Sequence, residues 1–328
     1  MGTSNTLQKL VCSHNELTSL DVSGCPNLNY LACTNNNIAV LNLNSSSPFE
    51  YLFCDYNQIT SLDVSGYPNL KELGFGGNKI SAINLSNCTE LEGLFCFDNN
   101  LTTLDVSNSP AIKTLYCFGN EIQSLNVSSF ASLKELRCYD NELTSLNLNG
   151  CSDLKWLNCK ENNLATLDVK ECASLAELDC SDNELAELDV SGMQLEKLRC
   201  NNNKISSLNV SNSNKLKYLY CNDNELVSLD VNNNTTLTTV MCYNNQLTTL
   251  NVDGCTKLHQ LYCENNGLLG IVPAIFDDIG LLEYDIRYRY KYDSEKKEYV
   301  MIEDTGKGYW YGHEPAGGCH KPDPCNPL

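Results

Sequence analysis

Histidine is scarce in this chain: 328 residues hold four, His14, His259, His313 and His320. Neither His14 nor His259 stands beside a nucleophile in the local register. No His-Glu-x-x-His, phosphate-cradling glycine loop or nucleophile elbow occurs, so an enzyme is not expected and no cofactor is implied. Basic residues are few as well, 22 Lys and Arg against 41 Asp and Glu, for a formal charge of −19. Such a surface repels phosphate backbones and anionic headgroups, which argues against nucleic acid and membrane-surface partners. No apolar run approaches the roughly 18 residues that a membrane-spanning helix needs, so direct membrane insertion is not expected.

Cysteine, in contrast, is abundant, with nineteen residues, and most of it is periodic. A ladder runs Cys12, Cys33, Cys54, Phe75, Cys96, Cys117, Cys138, Cys159, Cys180, Cys200, Cys221, Cys242 and Cys263. The spacing is 21 residues except for one turn of 20, between Cys180 and Cys200, and asparagine follows three residues after every member, from Asn15 to Asn266. Thirteen copies of leucine-x-x-leucine-x-cysteine-x-x-asparagine-x-leucine define a leucine-rich-repeat solenoid. The expected architecture is a parallel β-sheet on the concave face, short extended or irregular convex limbs, and few or no α-helices. Residues 1–266 form the array of 13 turns and residues 267–328 its ending.

Equivalent side chains on neighbouring parallel strands stand about 4.8 Å apart. That exceeds the ~3.5–4.5 Å between Cβ atoms of a relaxed disulfide, and a one-dimensional column cannot converge on zinc. The ladder cysteines are therefore read as reduced, buried, unliganded small hydrophobes.

Within the first turn, Leu7, Leu10 and Cys12 point inward while Lys9, Val11 and Ser13 face out. Asn15 satisfies the bend with its amide, and Leu17, Leu20 and Val22 supply a second inward set. Asp or Asn follows the second leucine in twelve turns, beginning Asp21, Asn42, Asp63 and Asn84. The asparagines interrupt the carboxylates, so a hydrogen-bonding column that caps convex backbone groups fits better than calcium. A second cysteine column, Cys25, Cys88, Cys151, Cys172 and Cys255, alternates with Ser46, Tyr67, Ser109, Phe130, Met193, Ser213 and Asn234. That tolerance suggests a partly covered bend. The sequons Asn84-Leu-Ser86 and Asn126-Val-Ser128 fall on ladder positions and are read as coincidence of the repeat.

The 21-residue period, the strand cysteine and segments such as Leu17-Thr-Ser-Leu-Asp-Val-Ser-Gly-Cys25 and Leu178-Asp-Cys-Ser-Asp-Asn-Glu-Leu185 resemble the cysteine-type leucine-rich repeats of internalins. They also look like related repeat proteins displayed by gut Bacteroidetes. The resemblance spans residues 7–266. It implies a bacterial protein at the cell surface or secreted, which adheres to a host or environmental protein, glycoprotein or glycan. It transfers no functional residues. The first turn begins at Leu7 without a cap, so the native chain is expected to extend upstream of residue 1.

After Asn266 the segment Gly267-Leu-Leu-Gly-Ile-Val-Pro-Ala-Ile-Phe276 resembles a plant-type repeat, with Ile286 taking the next ladder position. Alternation from Arg287 to Tyr292, a turn at 293–298 and Tyr299-Val-Met-Ile302 predict an antiparallel hairpin that covers the end of the core. The tail carries Cys319 and Cys325, close enough to bridge, near His313, His320 and Asp323. A disulfide or no bond is favoured there over metal, and no metal site is expected.

The outward positions of the strands are not bland. Turns three to eight bring Tyr51, Phe53, Phe95, Phe97, Tyr116, Phe118, Tyr139 and Trp156. Polar residues follow in turns nine and ten. A second patch, Tyr218, Tyr220, Met241, Tyr243 and Tyr262, closes the array. Aromatics on a solvated face mark recognition surfaces. At turn four Phe75 replaces cysteine, flanked by Gly74 and Gly76. The expectation is an open-floored bay walled by Phe53, Phe95 and Phe97 that accepts a sugar ring or an inserted side chain. Valine at Gly74 and Gly76 would then leave folding intact and abolish binding. The expected function is a monomeric, non-enzymatic recognition module; the alternative is a structural spacer or surface-layer element without a specific ligand.

Overall fold

The computed structural model describes residues 3–211, 213–232 and 234–268, together with the backbone of the strands Arg289–Asp293 and Glu298–Ile302. Contacts divide the chain into two compact units, Met1–Asp285 and Ile286–Leu328.

The first unit is a solenoid whose main sheet has thirteen parallel strands, one per turn, from Lys9–Val11 to Gln260–Tyr262. Each strand is three residues long and centres on an inward leucine or Val240, so Leu10 pairs with Leu31 and Leu31 with Leu52. The short turn keeps this register, since Leu178 still pairs with Leu198 and the return limbs meet at Leu188 and Leu208. The missing residue therefore lies between Leu188 and Leu198, around Met193, and the sheet does not feel it. On the opposite side the Leu-Asp-Val limbs are extended, as expected. Three parallel pairs form there: Ser19–Asp21 with Val40–Asn42, Ser124–Asn126 with Ser145–Asn147, and Ser228–Asp230 with Thr249–Asn251. The described residues include no helix.

The core is one continuous column of leucine, isoleucine, valine and cysteine. Ladder members Cys33 to Cys242 are fully buried, while Cys12, at the first turn, is only partly covered. No disulfide and no metal-holding cluster occurs among the described residues. Burial pushes the thiols up, Cys33 and Cys117 to about 12 and Cys54 and Cys96 well above their ordinary value. A thiol that cannot ionise is a poor nucleophile and a poor ligand, so these side chains act as packing. Phe75 is wholly buried in the same column.

The asparagine column supplies the polar counterpart. Asn120 Nδ2 donates to the carbonyls of Cys96 (3.0 Å) and Cys117 (3.1 Å), and its Oδ1 accepts the N–H of Leu101 at 3.0 Å. From Asn36 to Asn266 each amide thus clamps its own turn to the preceding one, while Asn15, in the first turn, bonds within its own. One residue before each asparagine the backbone enters the left-handed region, with φ of 56° at His14, 52° at Tyr56 and 52° at Glu161. Glycine fills that position in two turns, Gly77 and Gly119, both at 64°. This φ favours Asn, Asp and Gly, and the chain uses them at most of these positions.

On the convex side the Asp and Asn oxygens do cap backbone, within a turn and not between turns. Asp21 Oδ1 accepts the N–H of Ser23 at 3.0 Å and its hydroxyl at 2.6 Å, and the same i to i+2 bond recurs from Asp63 to Asn251. This local bond accepts Asn as readily as Asp, which explains the mixture.

The second cysteine column departs from expectation. Cys25, Cys88, Ser109, Phe130, Cys151, Cys172 and Asn234 are all buried, so the bend is covered and not partly open. Its variety is tolerated because the polar members bond to carbonyls of the preceding turn: Ser109 Oγ donates to Cys88 O at 2.9 Å, and Asn234 Nδ2 to Ser213 O at 3.1 Å. In turn two the buried member is Ser47, whose hydroxyl donates to Cys25 O at 2.9 Å, while Ser46 is exposed. The Ser-Ser-Ser-Pro bend slips by one residue relative to the repeat.

In the second unit, Arg289–Asp293 pairs antiparallel with Glu298–Ile302, Tyr290 opposite Met301, as the alternation predicts. The plant-type segment, the ladder position of Ile286, the covering role of the hairpin, and Cys319, Cys325, His313, His320 and Asp323 lie outside the described residues.

Candidate functional site

Three outward positions per turn form columns on the main sheet, three residues before the ladder member, one before it and one after it. Parallel in-register pairing aligns each column, so residues about 21 apart in sequence become neighbours.

The column after the ladder carries Phe97, Phe118 and Tyr139. Their rings stack face to face, Phe97 on Phe118 at 4.9 Å and 9°, Phe118 on Tyr139 at 4.4 Å and 7°. Lys160 Nζ closes the stack 5.4 Å from the Tyr139 ring. The column before the ladder pairs Phe95 edge-on with Tyr116 at 5.3 Å, and the Arg137 guanidinium lies 4.6 Å from Tyr116. In the first turns Tyr30 packs against Tyr51 (5.7 Å) and Phe53 (6.1 Å), with Lys9 over its ring at 4.1 Å. Each ring contact contributes about 0.5–1.5 kcal/mol and each exposed cation contact about 0.5–1 kcal/mol. The rings largely satisfy one another, and Phe118 is buried.

The expected bay at turn four is closed. Gly74 and Gly76 are buried, not open to solvent. A Cβ on Gly76 would lie 2.4 Å from Phe97 Cζ, because that ring folds back over the glycine. A Cβ on Gly74 would meet Asp55 Oδ2 at 2.7 Å and Phe53 Cδ1 at 2.9 Å. The glycines make room for side chains of turns three and five and not for a ligand. Valine there cannot be neutral to folding.

Asp55, unmarked by sequence reasoning, occupies the same gap. Its Oδ1 accepts the Gly76 N–H at 2.9 Å. Burial pushes its carboxyl up to about 6, against the hydrogen bonds from Gly76 and Thr34 that lower it. The folded-state value lies above the ordinary 3.8, so the folded protein holds this proton more tightly and stability falls as pH rises through that interval. Asp55→Asn keeps an acceptor for Gly76 and removes the charge. Relative to the variant, the wild type is expected to lose on the order of 2 kcal/mol between about pH 4 and pH 6. Urea midpoints at the two ends of that range check it; a constant difference between the proteins contradicts it.

Beyond the stack the face opens. Trp156, Tyr218 and Tyr262 are 43%, 40% and 38% exposed, and Tyr220, Met241 and Tyr243 are half-buried. Arg199 lies 4.9 Å from the Tyr220 ring. Turns nine and ten, a polar gap in the sequence, carry ion pairs across strands, with Lys197 Nζ 4.0 Å from Glu177 and Arg199 3.9 Å from Asp179. The face therefore divides into a self-packed aromatic half and an open half of mixed charge and single rings.

This geometry defines a cysteine-ladder leucine-rich-repeat solenoid, with one strand per turn, buried ladder thiols and a bridging asparagine column. Among solved structures, the functional domain of InlJ from Listeria monocytogenes, which includes a cysteine ladder, is 35% identical with a TM-score of 0.74, over 81% of this chain and 60% of that one. The chain thus spans about three fifths of that relative's length. An internalin, inlF, from Listeria monocytogenes matches with a TM-score of 0.71 at 24% identity over 84% of this chain and 86% of that one, a likeness of fold. YopM from Yersinia enterocolitica matches with a TM-score of 0.61 at 25% identity, over 81% and 62%. No protein-family model and no curated protein matches the chain.

Proposed function

We propose that the chain is a non-enzymatic recognition module, at the cell surface or secreted, that adheres to a protein or glycan through its sheet face. Solenoids of this class present an extended concave surface suited to partners. The observation that carries the reading is the set of three exposed rings on the open half, Trp156 and Tyr218 in one column three strands apart and Tyr262 in the next, beside the half-buried Tyr220 and Tyr243. A large exposed ring has an energetic cost in water and is recovered when a partner covers it. The likeness to the InlJ domain supports placement outside the cell. The spacer reading draws on the stack of Phe97, Phe118 and Tyr139, which stiffens turns five to seven without needing a ligand.

Immobilised glycoproteins and glycans distinguish the two. The wild type is expected to bind a subset, and Trp156→Ala/Tyr218→Ala/Tyr262→Ala is expected to lose that binding at least tenfold with an unchanged urea midpoint. Undiminished binding by the triple variant overturns the proposal, and the absence of any bound species favours the spacer.

A further inference from the structure

The open half of the face holds a shallow cleft of about 170 Å³ across the four strands from Glu135–Arg137 to Lys197–Arg199. Trp156 stands near one end and Lys197 and Arg199 line the other. Two strand intervals separate Trp156 from Lys197, about 10 Å at the usual parallel spacing. Lys197 and Arg199 each stand 3.9–4.0 Å from a carboxylate, beyond hydrogen-bonding range, so their donors are open to a stronger acceptor. Both Arg137 and Arg199 lie over a tyrosine ring, but Arg137 is also held by Glu135 at 2.7 Å, whereas the carboxylate nearest Arg199 is 3.9 Å away. The charged residues that line the cleft are three bases, Arg137, Lys197 and Arg199, against three acids, Glu135, Glu177 and Asp179. The cleft is thus neutral in a chain of net −19.

We infer that this cleft docks an extended polypeptide segment of a partner, with an apolar or aromatic side chain on Trp156 and an Asp or Glu on the Lys197–Arg199 pair; this rests on the recognition reading above. The distance matches three residues of a segment in polyproline II geometry at ~3.1 Å each, whose residues i and i+3 share one face. Glu177 and Asp179, on the strand between, face the backbone N–H groups or a basic side chain of that segment. The volume falls short of the roughly 300 Å³ at which pockets begin to enclose small ligands, and suits single side chains entering from above. Trp and Arg with flanking carboxylates are the residue types that concentrate binding energy and set register in protein contacts.

A library of random linear peptides panned on the full chain, alongside a glycan array, tests this. Enriched peptides are expected to place an apolar residue about three positions from Asp or Glu. A synthetic consensus peptide should lose at least tenfold in affinity with Trp156→Ala and with Arg199→Glu. Lys197→Glu/Arg199→Glu should regain affinity for the peptide whose acid is replaced by lysine. Failure to enrich any peptide, or a consensus that binds these variants as well as the wild type, overturns the inference. A glycan whose binding is lost with Trp156→Ala assigns the cleft to sugar, which overturns the peptide occupant and leaves recognition standing. Absence of binding in both arms removes both readings.

Discussion

Asn120→Ala is expected to destabilise the array by about 2–3 kcal/mol. The amide holds two carbonyls, of Cys96 and Cys117, and the N–H of Leu101, in a region closed to water. Alanine leaves the Leu101 N–H without a partner, a buried orphan that costs about 1–3 kcal/mol, and weakens the two carbonyls, which keep Asn99 Nδ2 at 3.3 Å on Cys96 O and Asn141 Nδ2 at 3.0 Å on Cys117 O. The damage crosses the junction between turns, where a solenoid derives its cooperativity, so unfolding should also broaden. Asn15→Ala is the matched control. Its amide bonds only to Cys12 and Ser13 of its own turn and is exposed, so the expected cost is below about 1 kcal/mol. Urea denaturation followed by circular dichroism reads both. Equal losses at the two positions would show that the column contributes through local bend geometry and not through the clamp.

Gly76→Val is expected to cost about 2 kcal/mol and to release Phe97 from the face. The new side chain occupies the space of the ring, 2.4 Å from its edge, so Phe97 swings out and the contact with Phe118 is lost. A double-mutant cycle isolates the cause. In a Phe97→Ala background the same valine should cost less than about 0.5 kcal/mol, because the three atoms nearest that Cβ all belong to the Phe97 ring. A valine that costs the same in both backgrounds places the conflict in the backbone of turn four. The near-ultraviolet dichroism of the aromatic stack should weaken in the single variant in parallel with the stability loss.

These two expectations mark how far the sequence could be read. Period and spacing were enough for the parallel sheet, the buried thiols and the asparagine bends, because each depends only on which residues recur in register. Column membership was also legible, so Phe97, Phe118 and Tyr139 were known to share a face. Ring orientation was not. Whether rings at about 4.8 Å spacing stack on one another or turn outward depends on side-chain torsions and on what the next turn leaves vacant. Gly74 and Gly76 read as an opening, and the neighbours Phe53, Asp55 and Phe97 fill it. Asp55 carried no motif; its partial burial follows from the glycines opposite it. The slip from Ser46 to Ser47 was hidden because three serines in a row offer no landmark. Trp156 was read as the end of the aromatic row, while its neighbours make it the wall of a charged cleft.

Partners are expected to meet this protein on the open half of its sheet face. Oxidative footprinting of the chain with and without a bound species from the binding screen tests it most directly. Trp156, Tyr218 and Tyr262 should be protected in the complex, while Val40, in the convex strand Val40–Asn42, and Val227, just before Ser228–Asp230, each 53% exposed, should react as in the free protein. Protection of Val40 or Val227 with Trp156, Tyr218 and Tyr262 unchanged would contradict the account.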